Sequence, residues 1–427
     1  MIIYVVKKGD SVYSISQKFN VSSEKIVKDN VITEPDNLVV GQALVISINS
    51  FPYQVRAGES LYSISKKYGL TLDDLIKANP EIVSPSQIFP GETVIIPLSF
   101  NQLGRMLVNG YAFPNIKNDI LEKTLPYLTY LSLFGYQVNP DGTLSEINDT
   151  NQITAARDQN VAPIMVVTNI NMDGGFDGEI PNEIFSSEEI QQSLINNIIE
   201  ILQSKNYSGV DIDFEYLYPS DRENYNNFLR NLKSQLEPLG YSLTTALAPK
   251  VSADQQGILY EAHDYKSQGE IVDRIMLMTY EWGYTYGPPL AVSPINSVRQ
   301  VLDYAVTEIP PEKILMGIPN YGYDWTLPYK PGTMAQTISN VGAVDLARQV
   351  GSFIQYDEKS QAPYFYYYDK NGKQHIVWFE DARSIDAKLR LVNEYGLGGV
   401  SYWTINRFFP QNWLVQESLY STEKILE

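Results

Sequence analysis

The chain has no cysteine, which excludes disulfide bonds and thiolate metal ligation. Its two histidines, His263 and His375, lie far apart in sequence, so neither a two-histidine metal site nor a Ser-His-Asp triad is expected. Each ring reads as structural, and no metal ion or cofactor is implied. Basic residues are scarce: 32 Lys and Arg face 50 Asp and Glu, a formal net charge of −18. That balance argues against nucleic acid and against anionic membrane surfaces as partners, because both would repel the chain. No run of about 18 apolar residues occurs, and residues 1–30 hold no basic segment followed by an apolar one. A monomer without membrane insertion and without a cleavable secretory signal is expected. What the chain does have is 427 residues that are 44% apolar, enough for one large domain and smaller modules. It also has 31 tyrosines against 15 phenylalanines, and aromatic surfaces with polar tips suit sugar rings.

The first hundred residues contain an internal repeat. Tyr4-Val5-Val6-Lys7-Lys8-Gly9-Asp10-Ser11-Val12-Tyr13-Ser14-Ile15-Ser16 realigns with Tyr53-Gln54-Val55-Arg56-Ala57-Gly58-Glu59-Ser60-Leu61-Tyr62-Ser63-Ile64-Ser65. Asn30 matches Asn79 at the same offset, and Gly41 meets Gly91 after a one-residue insertion. Each copy reads as strand, Gly turn, helix, loop, helix, turn, strand. Ser11 and Ser60 stand as N-caps before Val12-Ile15-Phe19 and Leu61-Ile64-Tyr68 at helical spacing. Units this small bury little core, so they suit binding rather than catalysis.

Around Pro97-Leu98-Ser99 the rhythm changes to short apolar strands alternating with helical patterns, at intervals of about 30 to 45 residues. The expected strands are Met106–Ala112, Tyr130–Tyr136, Ala162–Thr168, Gly209–Glu215, Ser242–Ala248, Arg274–Thr279, Ile314–Pro319 and Gly399–Trp403. Eight such units favour an α/β fold of the (β/α)8 TIM-barrel type over a doubly wound open sheet of the same periodicity. Between them, Ile190, Leu194, Ile198 and Leu202 form a helical stripe, with Ser186 and Glu189 read as its capping box. The interval before the last strand is too long, and holds Gly351–Tyr356, Tyr364–Tyr368 and His375–Phe379 around an Asn371-Gly372 turn signal. It predicts a small α+β insertion at about 326–390 that walls one side of a groove. The expected domains are therefore 1–48, 51–98 and 104–427.

Within this frame, residues 207–218 stand out. Read with a period of two, Val210, Ile212 and Phe214 point to one side while Asp211, Asp213 and Glu215 point to the other, spaced by roughly 6.5 Å. An edge strand with a solvated acidic face would give the same pattern. Tyr218-Pro219-Ser220 ends the strand, however, and Ser220 with Glu223 reads as a capping box before Tyr225, Phe228, Leu229, Leu232 and Leu236. A strand followed at once by a helix places the apolar face under helices and the acids at the barrel mouth, where such folds carry their catalysis. Glu215, near the like charge of Asp213, should have a raised pKa and serve as an acid. Asp211 and Asp213 should titrate as a coupled pair.

Two resemblances follow. The repeats resemble LysM domains, βααβ modules that grip N-acetylglucosamine-containing polymers. This implies grooves near Gly9 to Val12 with Thr33 to Asn37, and near Gly58 to Leu61 with Ile82 to Ser86. Ser208-Gly209-Val210-Asp211-Ile212-Asp213-Phe214-Glu215 resembles the Asp-Gly-x-Asp-x-Asp-x-Glu signature of glycoside hydrolase family 18, with Ser208 in place of the outermost acid. Met278-Thr279-Tyr280, Gly317-Ile318-Pro319-Asn320-Tyr321-Gly322 and Gly399-Val400-Ser401-Tyr402-Trp403 agree with it. Glu281 departs from it, since relatives commonly carry Asp there. The resemblance implies a retaining glycosidase in which the substrate's own 2-acetamido oxygen attacks the anomeric carbon. Glu215 would then be acid and later base, Asp213 would hold the acetamido N–H beside Asp211, Tyr280 would hold its carbonyl oxygen, and Trp403 would form the apolar floor. Tyr111, Asn320, Tyr321 and Glu281 complete the expected sugar-contacting set. Without the motif, Tyr280 and Trp403 would read as barrel core, as Met276 and Met278 do. The combination is similar to the spore cortex-lytic N-acetylglucosaminidases of endospore-forming bacteria, which implies peptidoglycan as partner and the spore as location. A chitinase and a non-catalytic chitinase-like lectin are the alternatives, and the intact Glu215 speaks against the lectin.

Overall fold

The computed structural model describes residues 1–426 except 83–87, 99–101 and 172. Each N-terminal repeat is a two-stranded antiparallel sheet with two helices between its strands. Ile2–Val5 pairs with Ala43–Ile46 around helices Val12–Phe19 and Ser23–Asn30. Ser50–Gln54 pairs with Thr93–Pro97 around Leu61–Lys67 and Leu72–Lys77. The capping is reciprocal and made by serine alone: Ser11 Oγ accepts from Ser14 N while Ser14 Oγ accepts from Ser11 N, and Ser60 with Ser63 does the same. The repeated asparagine is a clamp between helix and strand. Asn30 Nδ2 donates to Ile26 O and Val45 O while its Oδ1 accepts from Val45 N. Asn79 repeats this pattern with Leu75 and Ile95. The repeats share a core in which Phe19, Phe51 and Tyr68 meet edge to face. Of the expected second groove, residues 83–86 lie outside the described residues.

The first repeat is also docked on the large domain. Gln411 Nε2 donates to Asn30 Oδ1 and Ala43 O, Ile354 N donates to Val40 O, and Arg348 Nε donates to Asn37 O at 2.9 Å. Ala43 and Val45 join the apolar core of the large domain. Gly41, at φ +87°, lies so close to Ile354 that a Cβ would meet its carbonyl oxygen at 1.8 Å. The loop expected to form one lip of the first groove is therefore held from behind by Arg348, whose guanidinium also reaches Thr33 Oγ1.

Eight parallel strands follow: β1 (Gly104–Ala112), β2 (Tyr130–Gln137), β3 (Ala162–Thr168), β4 (Gly209–Asp213), β5 (Ser242–Leu247), β6 (Arg274–Leu277), β7 (Ile314–Pro319) and β8 (Gly399–Trp403). Pairing of β8 with β1, Val400 opposite Val108, closes the barrel and eliminates the open sheet. Leu107, Phe134, Val166, Ala246, Met276 and Leu315 fill the interior, and a larger apolar layer separates the strands from the helices. β4 ends at Asp213, two residues sooner than expected, so Glu215 stands just beyond the last ladder position.

Two expected helix caps are corrected. Helix Glu188–Lys205 starts one residue later than the Ser186–Glu189 pair implied, capped by Ser187, whose side chain accepts from Ile190 N. Ser220 caps nothing: Pro219, with its fixed φ, opens a 3-10 turn through Asp221, and Arg222–Leu236 follows without a side-chain cap. Its predicted stripe, Tyr225 to Leu236, is nonetheless buried.

The insertion is a five-stranded antiparallel sheet of Gly322–Thr326, Gln336–Ile338, Gln355–Asp357, Ala362–Tyr368 and Gln374–Trp378, with helix Asn340–Gln349. The expected strand from Gly351 is confined to Gln355–Asp357, because Gly351 is left-handed just after that helix. At the Asn371-Gly372 signal the loop spans five residues rather than two. The Asp369 carboxylate accepts from Asn371 N and Lys373 N, and Gly372 supplies the left-handed position.

Candidate active site

The alternation of the fourth strand holds. Phe214 packs against Tyr225 and Phe228 of the following helix, and Val210 and Ile212 are fully buried in the same layer. Asp211, Asp213 and Glu215 point into the barrel and its mouth. The solvated-edge reading is excluded, since Asp213 is only 5% exposed and Asp211 is wholly buried.

Asp211, the deepest, has both oxygens engaged. Tyr111 Oη donates to Oδ2 at 2.6 Å and Thr244 Oγ1 donates to Oδ1 at 2.6 Å. Burial pushes its pKa up to about 6, partly offset by these two donors. Asp213 is different. Its Oδ1 is buried and has no hydrogen-bond partner among the described residues. Burial first, then the charges of Glu215 and Asp211, hold its carboxyl well above the usual range. The charge of Asp211 does raise the Asp213 carboxyl, as expected of neighbouring acids, while Tyr111 and Thr244 engage both Asp211 oxygens. The charge of Glu215 acts on Asp213 more strongly than that of Asp211. Glu215 itself is pushed up to about 7, by burial and by the charge of Glu281.

The supports of Glu215 escaped the sequence reading. Asn169 Nδ2 donates to Glu215 O at 2.8 Å, and Glu215 N donates to Asn169 Oδ1 at 2.9 Å. Asn169 follows directly on β3, and a polar residue at a barrel strand end was the signal that could have found it. His263 braces the preceding carbonyl: its Nδ1 accepts from Ala248 N, so Nε2–H donates to Phe214 O at 3.0 Å. Burial lowers its pKa to about 4, so the ring is neutral and structural, as expected.

Above the acids opens a cleft of about 770 Å³. Trp403 lies in it, ringed edge-on by Tyr111, Phe113 and Phe134 at centroid distances of 5.4, 5.8 and 5.0 Å. Tyr280 lines it too. Gly317 makes room for this ring, since a Cβ there would meet Tyr280 Cε1 at 2.7 Å. Burial, with Asp213 and Glu215 nearby, raises the Tyr280 pKa far enough to keep its hydroxyl a donor. Met278 also reaches the cleft, whereas Met276 packs inside the barrel.

Glu281 lines the wall on the insertion side at φ +67°, uncommon for a residue other than glycine. It accepts from Tyr321 Oη and from Tyr323 Oη, and burial raises its pKa. Tyr321 therefore reaches the cleft with its hydroxyl committed to Glu281. Asn320 departs from expectation: it does not line the cleft. Its Nδ2 donates to Thr404 O at 2.9 Å and Arg407 O at 2.7 Å, tying down the loop after β8. A buried amide satisfied by backbone carbonyls has no donor left for a sugar.

Comparisons with known proteins show which families the chain resembles. Residues 110–407 match the profile of glycosyl hydrolases family 18, and residues 4–47 and 53–97 match that of the LysM domain. The chain is 45% identical over 432 residues to the cortical fragment-lytic enzyme of Bacillus subtilis, covering 99% of each chain. It is 44% identical to the corresponding enzyme of Bacillus anthracis, again over 99% of both. The crystal structure of the Bacillus megaterium spore cortex-lytic enzyme SleL superimposes with a TM-score of 0.91 at 41% identity, covering 99% of each chain.

Proposed function

The chain belongs to glycosyl hydrolases family 18, and from that premise we propose that it hydrolyses β-1,4 bonds after N-acetylglucosamine in spore cortex peptidoglycan, with net retention. The protein is a glycosidase, and its LysM domains bind glycan. Its near full-length relatives associate it with spores, and we place it at the cortex.

The observation that carries the reading is the inward row of Asp211, Asp213 and Glu215 at the cleft mouth, with Glu215 poised near neutral pH and Asp213 Oδ1 an unused acceptor. Glycosidic cleavage requires a proton for the leaving oxygen and stabilisation of the positive anomeric carbon. Protonated Glu215 gives its proton to the glycosidic oxygen as the C1–O bond breaks. Asp211 is held by Tyr111 and Thr244, and Asp213 lies on the same strand face as Glu215, so this strand offers no second carboxylate to attack from the other face of the sugar. The acetamido carbonyl oxygen of the sugar attacks C1 instead, giving an oxazolinium ion. Asp213 Oδ1 accepts the acetamido N–H, so charge developing on that nitrogen faces a carboxyl group. The Tyr280 hydroxyl donates to the acetamido oxygen and aligns it, while Trp403 lies under the ring. Water then adds to C1, opening the oxazolinium and returning a proton to Glu215. Desolvation in the cleft strengthens each of these interactions.

Incubation with cortex fragments and, separately, with chitin oligomers tests the proposal through the reducing ends released. New N-acetylglucosamine reducing ends of retained configuration from cortex material are expected. Turnover of chitin alone would make the protein a chitinase, and turnover of neither would make it a lectin.

A further inference from the structure

The charged side chains lining the cleft are Asp213, Glu215, Glu281 and Arg407. Arg407 is the one cation among the described lining residues, in a chain with a net charge of −18. Its side chain is exposed, and among the described residues it has no salt bridge or side-chain hydrogen bond. Several other arginines are paired, Arg299 with Glu394, Arg383 with Asp381 and Arg390 with Asp386, whereas Arg56 and Arg105, away from the cleft, are likewise without an ion pair among the described residues. The backbone beneath it, by contrast, is fixed from two sides. Asn320 holds Thr404 O and Arg407 O. Asn406 Oδ1 accepts from Phe113 N at 2.9 Å, and its Nδ2 reaches Asn115 Oδ1 at 3.3 Å. A guanidinium with unused donors therefore stands on an immobilised loop four residues beyond Trp403, and ordering that loop costs nothing further when a ligand arrives.

A planar guanidinium matches a carboxylate through two parallel hydrogen bonds. The glycan of peptidoglycan alternates N-acetylglucosamine with muramic residues that carry a lactyl carboxyl group, free or extended by peptide, and chitin has no such group. We infer that Arg407 is a specificity-determining residue that reads a carboxylate on the muramic residue next to the N-acetylglucosamine held over Trp403. This rests on the function proposed above. It also gives Asn320 a job, as the positioning residue that aims Arg407. The cleft thus holds three acids at the reaction centre and its wall, and one guanidinium on the loop after β8 as the station for an anion.

The test uses the full-length protein and its Arg407→Ala and Arg407→Lys variants. Two glycan tetrasaccharides are compared, one with free lactyl carboxylates and one in which these are reduced to alcohols, cut at the same bond. The readout is the ratio of kcat/KM on the two. Wild type should favour the carboxylate form by about tenfold or more, as expected of one charge-assisted bidentate pair. Arg407→Ala should bring the ratio near one, Arg407→Lys should fall between, and high salt should compress the wild-type ratio. A wild-type ratio near one, or an Arg407→Ala variant that keeps the wild-type ratio, overturns the inference alone. Cleavage of neither tetrasaccharide overturns the proposed function and this inference with it.

Discussion

Replacing Glu215 by Gln should stabilise the protein while stopping its chemistry, and the stabilisation should depend on pH in a defined direction. The carboxyl is held at about 7 against an ordinary 4.5, first by burial and then by Glu281. Between those values the folded chain keeps a proton that the unfolded chain releases. Stability therefore falls as pH rises through that window, and the loss is complete above about pH 7. At ~1.4 kcal/mol per tenfold in proton affinity, the cost at pH 8 is about 3 kcal/mol, and at pH 5 about 1 kcal/mol. Gln has nearly the same shape and no charge at either pH, so the variant escapes this cost. With ~2 cal/mol/K of unfolding entropy per residue over a barrel of roughly 320 residues, Glu215→Gln should melt about 4 °C above wild type at pH 8 and about 1 °C above it at pH 5. Calorimetric melts of both proteins at pH 5, 6.5 and 8 measure this, with reducing-end release on cortex fragments alongside. Hydrolysis should drop by about 10²-fold or more, as expected when a general acid is removed. A melting difference that does not change with pH, or a variant that melts below wild type at pH 8, would refute the argument that desolvation sets the Glu215 proton affinity.

Other substitutions separate the remaining roles. Asp213→Asn should reduce kcat by about 10²-fold or more by removing the carboxylate that faces the oxazolinium nitrogen, while co-sedimentation with insoluble peptidoglycan stays at the wild-type level. Glu281→Gln removes a negative neighbour that holds the proton on Glu215, so the alkaline limb of kcat/KM should move to lower pH, by about half a pH unit or more; a pH–rate profile measures it, and a limb moved upward contradicts the assignment. Gly41→Ala forces a Cβ against the Ile354 carbonyl at a left-handed position, and should cost about 2 kcal/mol or more in a chemical-denaturation midpoint assay while opening the docked face to limited proteolysis.

Much of this architecture is written in short-range patterns. Period-two alternation over Val210 to Glu215 shows which side chains face the cleft, because a strand between a helix layer and a barrel lumen has two unlike faces. The spacing of apolar runs gives the barrel strands because each βα unit buries its own stripe. Local signals did less well where long-range partners compete for the same atoms. Ser220 and Glu223 have the spacing of a capping box, yet Pro219 draws that segment into a tighter turn. Asn320 looks like a sugar ligand from its place after β7, but two carbonyls from the loop after β8, more than eighty residues away, take its amide. Tyr111 was expected on the sugar and instead spends its hydroxyl on Asp211, while its ring still borders the cleft. The support of Glu215 by Asn169 joins two strand ends that only barrel closure brings together.

The weld between the first repeat and the barrel bears on how the enzyme meets a solid wall. Modules on slack linkers raise local concentration over any target within reach, whereas a stiff arm engages only targets whose spacing suits it. Here Gln411, Arg348 and Ile354 lock one repeat to the barrel, and the aromatic core carries that rigidity on into its neighbour. The chain thus behaves as a caliper rather than a leash, presenting a gripped strand to the cutting edge at a set span.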